Sequence, residues 1–242
     1  MPSQSLETHP LISLCTVTYN RQALLPLLQN CILAQDYPLD KMQWVIVDDS
    51  DNGCPDFVAD PRINVRYERL SHRLPLGQKR NYSHQCCDGE IIVYLDDDDY
   101  YPSTRVSHAV NRLQAGDALI AGSTLLPILF LPERELWMAG PYGQWHATAG
   151  TFAFRKSLLA LTSYPDEICT AEEKPFLNGY SVPLIQLDAA QTILCIAHHA
   201  NTYDKRQMRG QSGPFRHLDG ADLSHLSELM DAYEAVLTPA NS

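Results

Sequence analysis

The first half of the chain alternates short apolar runs with stretches of helical spacing, and each run stops at polar residues. Residues 11–17 form a compact run that predicts a strand buried on both faces, ending at Thr18-Tyr19-Asn20. Residues 24–35 place Leu24, Leu27, Leu28, Cys31 and Ile32 on one helical stripe, and Pro26 fits there only in the first turn. Residues 43–47 predict a second strand, which stops at Asp48-Asp49-Ser50-Asp51, and residues 63–68 a weaker third. A helix over 77–87 leads to a fourth strand over 90–95, which runs into Asp96-Asp97-Asp98-Asp99. Strand, helix, strand with short connections is the pattern of a parallel α/β sheet, and such sheets bind ligands outside the carboxyl ends of their strands. The polar ends therefore gather along one edge.

The second half is less regular. It predicts a helix over 102–113 and two strands within 118–131 around Gly122-Ser123. A turn at 140–143, a strand over 148–154 and a short helix over 171–178 follow, then strands over 184–187 and 192–197 and a C-terminal helix over 223–237. No repeat or linker interrupts the 242 residues, so a single domain over 1–242 is expected, its halves (10–115 and 116–242) sharing one core.

Composition narrows the function. Eighteen basic against 29 acidic residues give a net charge of −11, which argues against broad contact with nucleic acid or anionic lipid. A small anionic ligand held locally, especially one arriving with a metal ion, remains open. The seven cysteines are odd in number and form no CxxC pair, so neither a disulfide framework nor a zinc site is expected, and a reducing cytoplasm is the economical setting. The opening MPSQSLETHP shows no basic stretch followed by an apolar one, so no secretory leader is expected. The longest apolar run, over 118–131, is too short and too broken to span a bilayer.

The aspartate quartet is the strongest chemical signal. Two carboxylates about 4 Å apart repel by roughly 4 kcal/mol at the effective dielectric of a protein surface, so a cation is expected among them. Mg²⁺ or Mn²⁺, held by one or two carboxylates with phosphate oxygens completing the shell, is the natural candidate. If the strand stays extended, Asp96 and Asp98 face one way and Asp97 and Asp99 the other. The alternative is a solvated acidic turn, against which stand the apolar strand before it and Tyr100-Tyr101-Pro102 after it.

Thr18-Tyr19-Asn20-Arg21, Val45-Ile-Val-Asp-Asp-Ser50, Gly77-Gln-Lys-Arg-Asn81 and Tyr94-Leu-Asp-Asp-Asp-Asp-Tyr-Tyr-Pro102 occur in that order. Together, over roughly residues 10–115, they resemble the nucleotide-binding half of family 2 glycosyltransferases. The resemblance implies the GT-A fold, a Rossmann-like, mostly parallel central sheet flanked by helices, with a smaller mixed region on the acceptor side. It also implies an inverting transfer of sugar from a nucleoside-diphosphate sugar to a hydroxyl of a glycan or other acceptor. By the same resemblance Thr18 and Tyr19 sit beside the nucleotide base. Asp49 accepts a hydrogen bond from the base, Asp48 supports the turn, and Arg80 with Lys79 contacts base or phosphates. Asp96 and Asp98 form the DXD motif, with Asp98 the metal ligand and Asp96 reaching ribose or metal-bound water, while Asp97 fills out the cluster. Asp49 suits uracil, so a UDP-sugar is favoured, with GDP- and dTDP-sugars open.

Within Thr170-Ala-Glu-Glu-Lys-Pro-Phe176 the family usually shows Glu-Asp, its second acid being the base. By that mapping Glu173 takes the acceptor's proton and Glu172 orients it; the plain alternative is an acidic first helical turn. Trp145 and His146, between turn glycines, suit the apolar face of a sugar and mark an acceptor loop. His198 is a candidate metal ligand after a late strand, and Lys205 a partner for the leaving diphosphate. Two rivals stand beside the transferase: a nucleotidyltransferase, which ordinarily carries a glycine-rich loop where this chain has Thr18-Tyr19-Asn20-Arg21, and a non-catalytic sugar-nucleotide or glycan-binding module.

Overall fold

A computed structural model describes residues 9–54, 57–209 and 213–237. The first eight residues, where a leader would stand, lie outside them. The first half forms β1 (Ile12–Thr18), α1 (Leu25–Leu33), β2 (Met42–Asp48), β3 (Asn64–Arg69), α2 (Leu76–Gln85), β4 (Ile91–Tyr94) and α3 (Arg105–Gln114). The second half adds β5 (Ile120–Gly122), β6 (Leu126–Phe130), β7 (Glu135–Ala139), β8 (Ala153–Arg155), α4 (Glu173–Phe176), β9 (Leu184–Gln186), β10 (Cys195–Ala197), β11 (Phe215–His217) and α5 (Ser227–Leu237).

A seven-stranded sheet in the order β3-β2-β1-β4-β8-β5-β9 takes strands from both halves. Its β1 pairs in parallel with β2 and β4, and β8 runs antiparallel between β4 and β5. Strand alternation sends Ile12 and Leu14 to one face, into a cluster with Leu28 and Ile32 of α1 and Val106 and Val110 of α3. Cys15 and Val17 point to the other, with Tyr94, Phe154 and Phe176. Both faces are covered, which is why β1 and β2 read as continuous runs. Each such fully buried aliphatic side chain contributes roughly 1.5–3 kcal/mol.

From β1 the chain builds β2 and β3 to one side, then crosses to place β4 on the other. This reversal opens a crevice at the carboxyl ends of β1 and β4, where Thr18 and the aspartates stand.

Two expectations need correction, and two strands were not expected. The strand over 148–154 is mostly a 3₁₀ turn (Ala149–Thr151) before the three-residue β8. Gly150 lies on this turn, where a Cβ would come 2.9 Å from Asp96 Oδ2, so glycine lets the loop pass close to that aspartate. The helix over 171–178 shrinks to the single turn α4, since Ala171 (φ 54°) and Asn178 (φ 48°) are left-handed at its flanks. β7 and β11 are unforeseen. They complete a second sheet, β10-β6-β7-β11, and hold through pairing and a Trp137–Phe215 stack at 4.8 Å rather than through any local pattern. Among the described residues no helix is long and apolar enough to cross a membrane.

Candidate active site

The exit of β4 is fixed from below. Thr16 Oγ1 accepts from Trp44 Nε1 (2.9 Å) and donates to the Leu95 carbonyl (2.8 Å), tying β1 and β2 to the residue before the quartet. The Asp96 amide donates to Tyr101 Oη (2.6 Å), and Asp99 Oδ1 accepts from the Ile196 amide of β10 (2.9 Å). Between these anchors the chain turns at 97–98, so the extended, two-sided arrangement of aspartates does not form. Arg21 instead reaches two of them: its Nη2 lies 2.9 Å from Asp97 Oδ1, and its Nη1 pairs with Asp98 Oδ2. Arg80 Nη2 lies 2.8 Å from Asp96 Oδ1.

The charges are uneven in consequence. Burial, reinforced by the Asp98 charge, pushes Asp97 and Asp99 each up to about 7. Burial acts on Asp98 in the same direction, but Arg21, His198 and Lys205 overcome it and hold that carboxyl well below the usual range. Lys205 keeps its charge against burial through Cys195, Asp99 and Asp98.

A cavity of about 880 Å³ opens above this edge. Thr18, Tyr19, Lys79, Arg80, Asp96, Asp98, Glu172, Glu173 and Lys205 all line it, as do Arg21, Arg73 and Asn201, to which the sequence reading gave no role. Asp48 and Asp49 do not reach its wall. Asp48 is fully buried and accepts from the Ser50 amide (2.8 Å), Tyr67 Oη (2.5 Å) and Cys54 Sγ (3.1 Å). Asp49 accepts from Lys79 Nζ (2.5 Å) and from the Leu74 amide (2.9 Å), while Lys79 also reaches the Thr18 carbonyl (3.3 Å). The group that this pair shows to the cavity is therefore the ammonium rather than the carboxylate. Beside it the Arg73 guanidinium lies 4.0 Å from the centre of the Tyr19 ring.

Across the same cavity stand Glu172 and Glu173. Burial, with the Glu172 charge adding, raises the Glu173 carboxyl above the ordinary glutamate range against the pull of Arg80. Glu172 Oε1 is 3.7 Å from the Arg80 Nη2 that also holds Asp96. Trp145 and His146 lie outside the cavity lining; Trp145 is exposed, and His146 sits between Tyr142 and Tyr180.

Whether these residues fit a divalent metal can be judged atom by atom. Asp96 Oδ2 and Asp98 Oδ1 have no protein partner among the described residues, and both side chains line the cavity, so two hard oxygens are available there. His198 lies beside them: its Nδ1 accepts from the Ala200 amide (3.1 Å), and its Nε2 is 3.0 Å from Asn201 Nδ2 and 3.5 Å from Asp98 Oδ2. Among the described residues no three His, Cys, Asp or Glu side chains form a metal-binding group, so any shell would be completed by oxygens from outside the protein, of water or phosphate.

Residues 13–134 match the family described as glycosyl transferase family 2. The chain belongs to this family. Its fold also resembles solved structures: the mannosyltransferase PcManGT from Pyrobaculum calidifontis in complex with GDP-Man and Mn²⁺ (TM-score 0.65, 18% identity, covering 81% of this chain and 59% of that one). A second is residues 1–349 of S. aureus TarS in complex with UDP-GlcNAc (TM-score 0.59, 18% identity, 79% and 60% covered). The chain thus spans about three-fifths of the length of these structures. No curated protein sequence matches it. Membership accounts for the GT-A architecture of a glycosyltransferase domain, with its central sheet, flanking helices and smaller second sheet.

Of the cavity residues given no role by sequence reasoning, Arg21 stands inside a motif already singled out, and Asn201 lies between the candidates His198 and Lys205. Arg73 carries no such signal: it follows the weakest predicted strand of the first half, in a loop without pattern.

Proposed function

We propose that this domain moves a sugar, with inversion, from a nucleoside-diphosphate sugar to a hydroxyl of a glycan or other acceptor, with Mn²⁺ or Mg²⁺. The observation that carries this reading is the meeting of Asp96 and Asp98 with Glu173 in one cavity at the sheet's switch point. The GDP-Man, Mn²⁺ and UDP-GlcNAc of the similar structures agree with it in ligand class.

Asp96 and Asp98 would hold the divalent ion, whose chemistry there is to offset charge on the departing diphosphate. Arg80 and Lys205 set fixed positive charge along the same wall, where that charge develops. Tyr19, backed by Arg73, offers a ring to the base. Lys79, aimed by Asp49, donates to a base carbonyl. Uracil and thymine each carry two and guanine one; a UDP-sugar is the first donor to test, GDP- and dTDP-sugars the next. Glu173, its carboxyl raised by burial, removes the acceptor proton as the oxygen attacks, and Glu172 steadies Arg80 beside it. All seven cysteines are free thiols, which supports a reducing, cytoplasmic setting.

Calorimetry with UDP and GDP, with and without Mn²⁺, together with product analysis, tests the assignment. Asp98→Ala should lose metal-linked nucleotide binding and turnover together, and Glu173→Gln should bind donor normally but transfer nothing. An Asp98→Ala protein that binds nucleotide and Mn²⁺ like the wild type would end the reading. Pyrophosphate release from a sugar 1-phosphate and a nucleoside triphosphate would point to a nucleotidyltransferase.

A further inference from the structure

Arg21 enters the aspartate cluster from a braced backbone. It follows Asn20, a left-handed residue (φ 53°) tied to the exit of β2: the Asn20 amide donates to Ser50 Oγ (2.7 Å), its Nδ2 donates to Asp51 Oδ2 (3.0 Å), and its Oδ1 accepts from the Asp51 amide (3.2 Å). On the other side the Arg21 carbonyl accepts from the Leu24 amide (3.0 Å) as the chain turns toward α1. Every guanidinium nitrogen is then used. Nε and Nη2 meet the two oxygens of Asp97 side by side (3.2 and 2.9 Å), and Nη1 pairs with Asp98 Oδ2. The Asp97 side chain is fully buried and that of Arg21 18% exposed, so this head has little freedom to swing away.

Asp98 Oδ2 takes a second bond from the segment after β10. Asn201 Nδ2 donates to it (3.0 Å) and to the Ile196 carbonyl (3.2 Å), while Asn201 Oδ1 accepts from the His198 amide (2.7 Å), which fixes the end of the side-chain amide that faces the aspartate. A carboxylate oxygen has two lone pairs, and Arg21 and Asn201 engage both of those on Oδ2. Asp98 Oδ1 keeps its own free among the described residues. Asp96 repeats the pattern in simpler form: Arg80 Nη2 holds its Oδ1 (2.8 Å), and its Oδ2 is the open oxygen.

This arrangement bears on which ion fits. Ca²⁺ takes about six to eight oxygens at roughly 2.3–2.6 Å, and a carboxylate often serves it through both oxygens. Mg²⁺ is smaller and demands near-octahedral geometry, using one or two carboxylates and leaving the rest of its shell to phosphate or water; Mn²⁺ accepts the same octahedral oxygen set. A carboxylate with one oxygen already saturated serves the second kind of ion and not the first.

We propose that Arg21 and Asn201 cap Asp98 Oδ2, so that Asp98 offers a divalent ion one oxygen only and the site favours Mn²⁺ and Mg²⁺ over Ca²⁺. Arg21 is then a specificity-determining residue as well as a counter-ion. Its charge alone gives no such selection, because the three ions carry the same charge and Arg21 repels each alike. The proposal rests on the metal-dependent reading of the cavity, and binding rather than turnover tests it.

The full chain is titrated calorimetrically with UDP and with GDP, each in equal concentrations of Mn²⁺, Mg²⁺ or Ca²⁺ and in EDTA, and the readout is the gain in nucleotide affinity that each ion brings. The wild type should gain roughly tenfold more from Mn²⁺ than from Ca²⁺. Arg21→Met combined with Asp97→Asn removes the cap together with the carboxylate it serves, so no buried charge is left unpaired. In that protein the ratio should fall about fivefold, through a larger gain from Ca²⁺. Asn201→Ala leaves the Arg21–Asp97 pair in place, serves where the double variant folds poorly, and should lower the ratio about threefold. The nucleotide's own preference among ions is common to all three proteins and cancels.

A lower ratio carried by Ca²⁺ supports the cap. Equal gains from Mn²⁺ and Ca²⁺ in the wild type overturn it. So does a ratio that the variants leave unchanged, including the case in which the gains from all ions shrink together, the mark of a structural role. Both of those results leave the donor reading standing, since ions still strengthen nucleotide binding. If no ion strengthens it in the wild type, the metal reading falls and the cap with it.

Discussion

Replacing Lys79 with methionine removes the ammonium from a carboxylate that has no route to water. The Asp49 side chain is fully buried and that of Lys79 only 8% exposed, and their contact is 2.5 Å. Breaking such a pair from one side leaves a buried charge uncompensated, at a cost of roughly 3–5 kcal/mol. Only the Leu74 amide (2.9 Å) remains to Asp49, and the bond from Lys79 to the Thr18 carbonyl goes as well. For a domain of this size each kcal/mol shifts the melting temperature by roughly 2–4 °C, so Lys79→Met should melt about 10 °C lower. Asp49→Asn combined with Lys79→Met tells a different story: no charge is buried, asparagine can still accept from Leu74, and most of the loss should return. Urea denaturation of the four proteins in the cycle at pH 7 should give a coupling of about 2 kcal/mol or more. If Lys79→Met stays within 1 kcal/mol of the wild type, or the double variant is as unstable as the single, the pair is not the internal compensation described here. In that event Asp49 is free to meet the base itself.

Three further outcomes follow from the same geometry. Gly150→Ala puts a Cβ 2.9 Å from Asp96 Oδ2, so it should weaken metal-linked nucleotide binding about tenfold with a loss of less than roughly 1 kcal/mol in stability, read by calorimetry and urea melts. Burial, with Arg80 adding, depresses His84 to about 3 among Tyr94, Tyr164 and Phe154. Its contribution is therefore complete above the unfolded value of about 6.5 and lost as pH falls toward 3, about 3 kcal/mol being gone by pH 4.5; His84→Phe should flatten that part of a pH–stability curve. Because burial raises Glu173, the acid limb of the transfer rate should fall at a pH above the ordinary glutamate range, and donor binding measured alongside should not share that limb.

The parts of this molecule that are local in cause are legible in its sequence. Buried parallel strands read as unbroken runs because both faces are covered, and Asp96–Asp99 advertise themselves because four acids in succession have few structural uses. What escapes is whatever depends on partners distant in the chain. That Arg21 meets Asp97 and Asp98, some seventy-six residues on, follows from β1 and β4 lying side by side, which no window of sequence displays. β11, three residues long, exists because β7 is there to receive it. The left-handed turns at Ala171 and 178–180 carry alanine, asparagine, glycine and tyrosine, of which only the glycine and asparagine hint at the conformation.

Arg80 shows how the two halves become one site. It is almost wholly buried, its guanidinium 4.4 Å from the centre of the Tyr94 ring, with Nε and Nη1 left without partners among the described residues. A buried cation ordinarily finds all its hydrogen bonds, and leaving donors unmade costs free energy. Here the unmade bonds belong to the side chain whose remaining nitrogen lies 2.8 Å from Asp96 and 3.7 Å from Glu172, one acid just after β4 and one just before α4. Arginine suits this place because its planar head meets both acids through one nitrogen and keeps Nε and Nη1 as further donors. Any anion drawn to that head must then adjust Asp96 and Glu172 together. The segment that carries Glu172 and Glu173 is thereby tied to the aspartate edge through one fixed charge, instead of resting on the four residues of α4 alone.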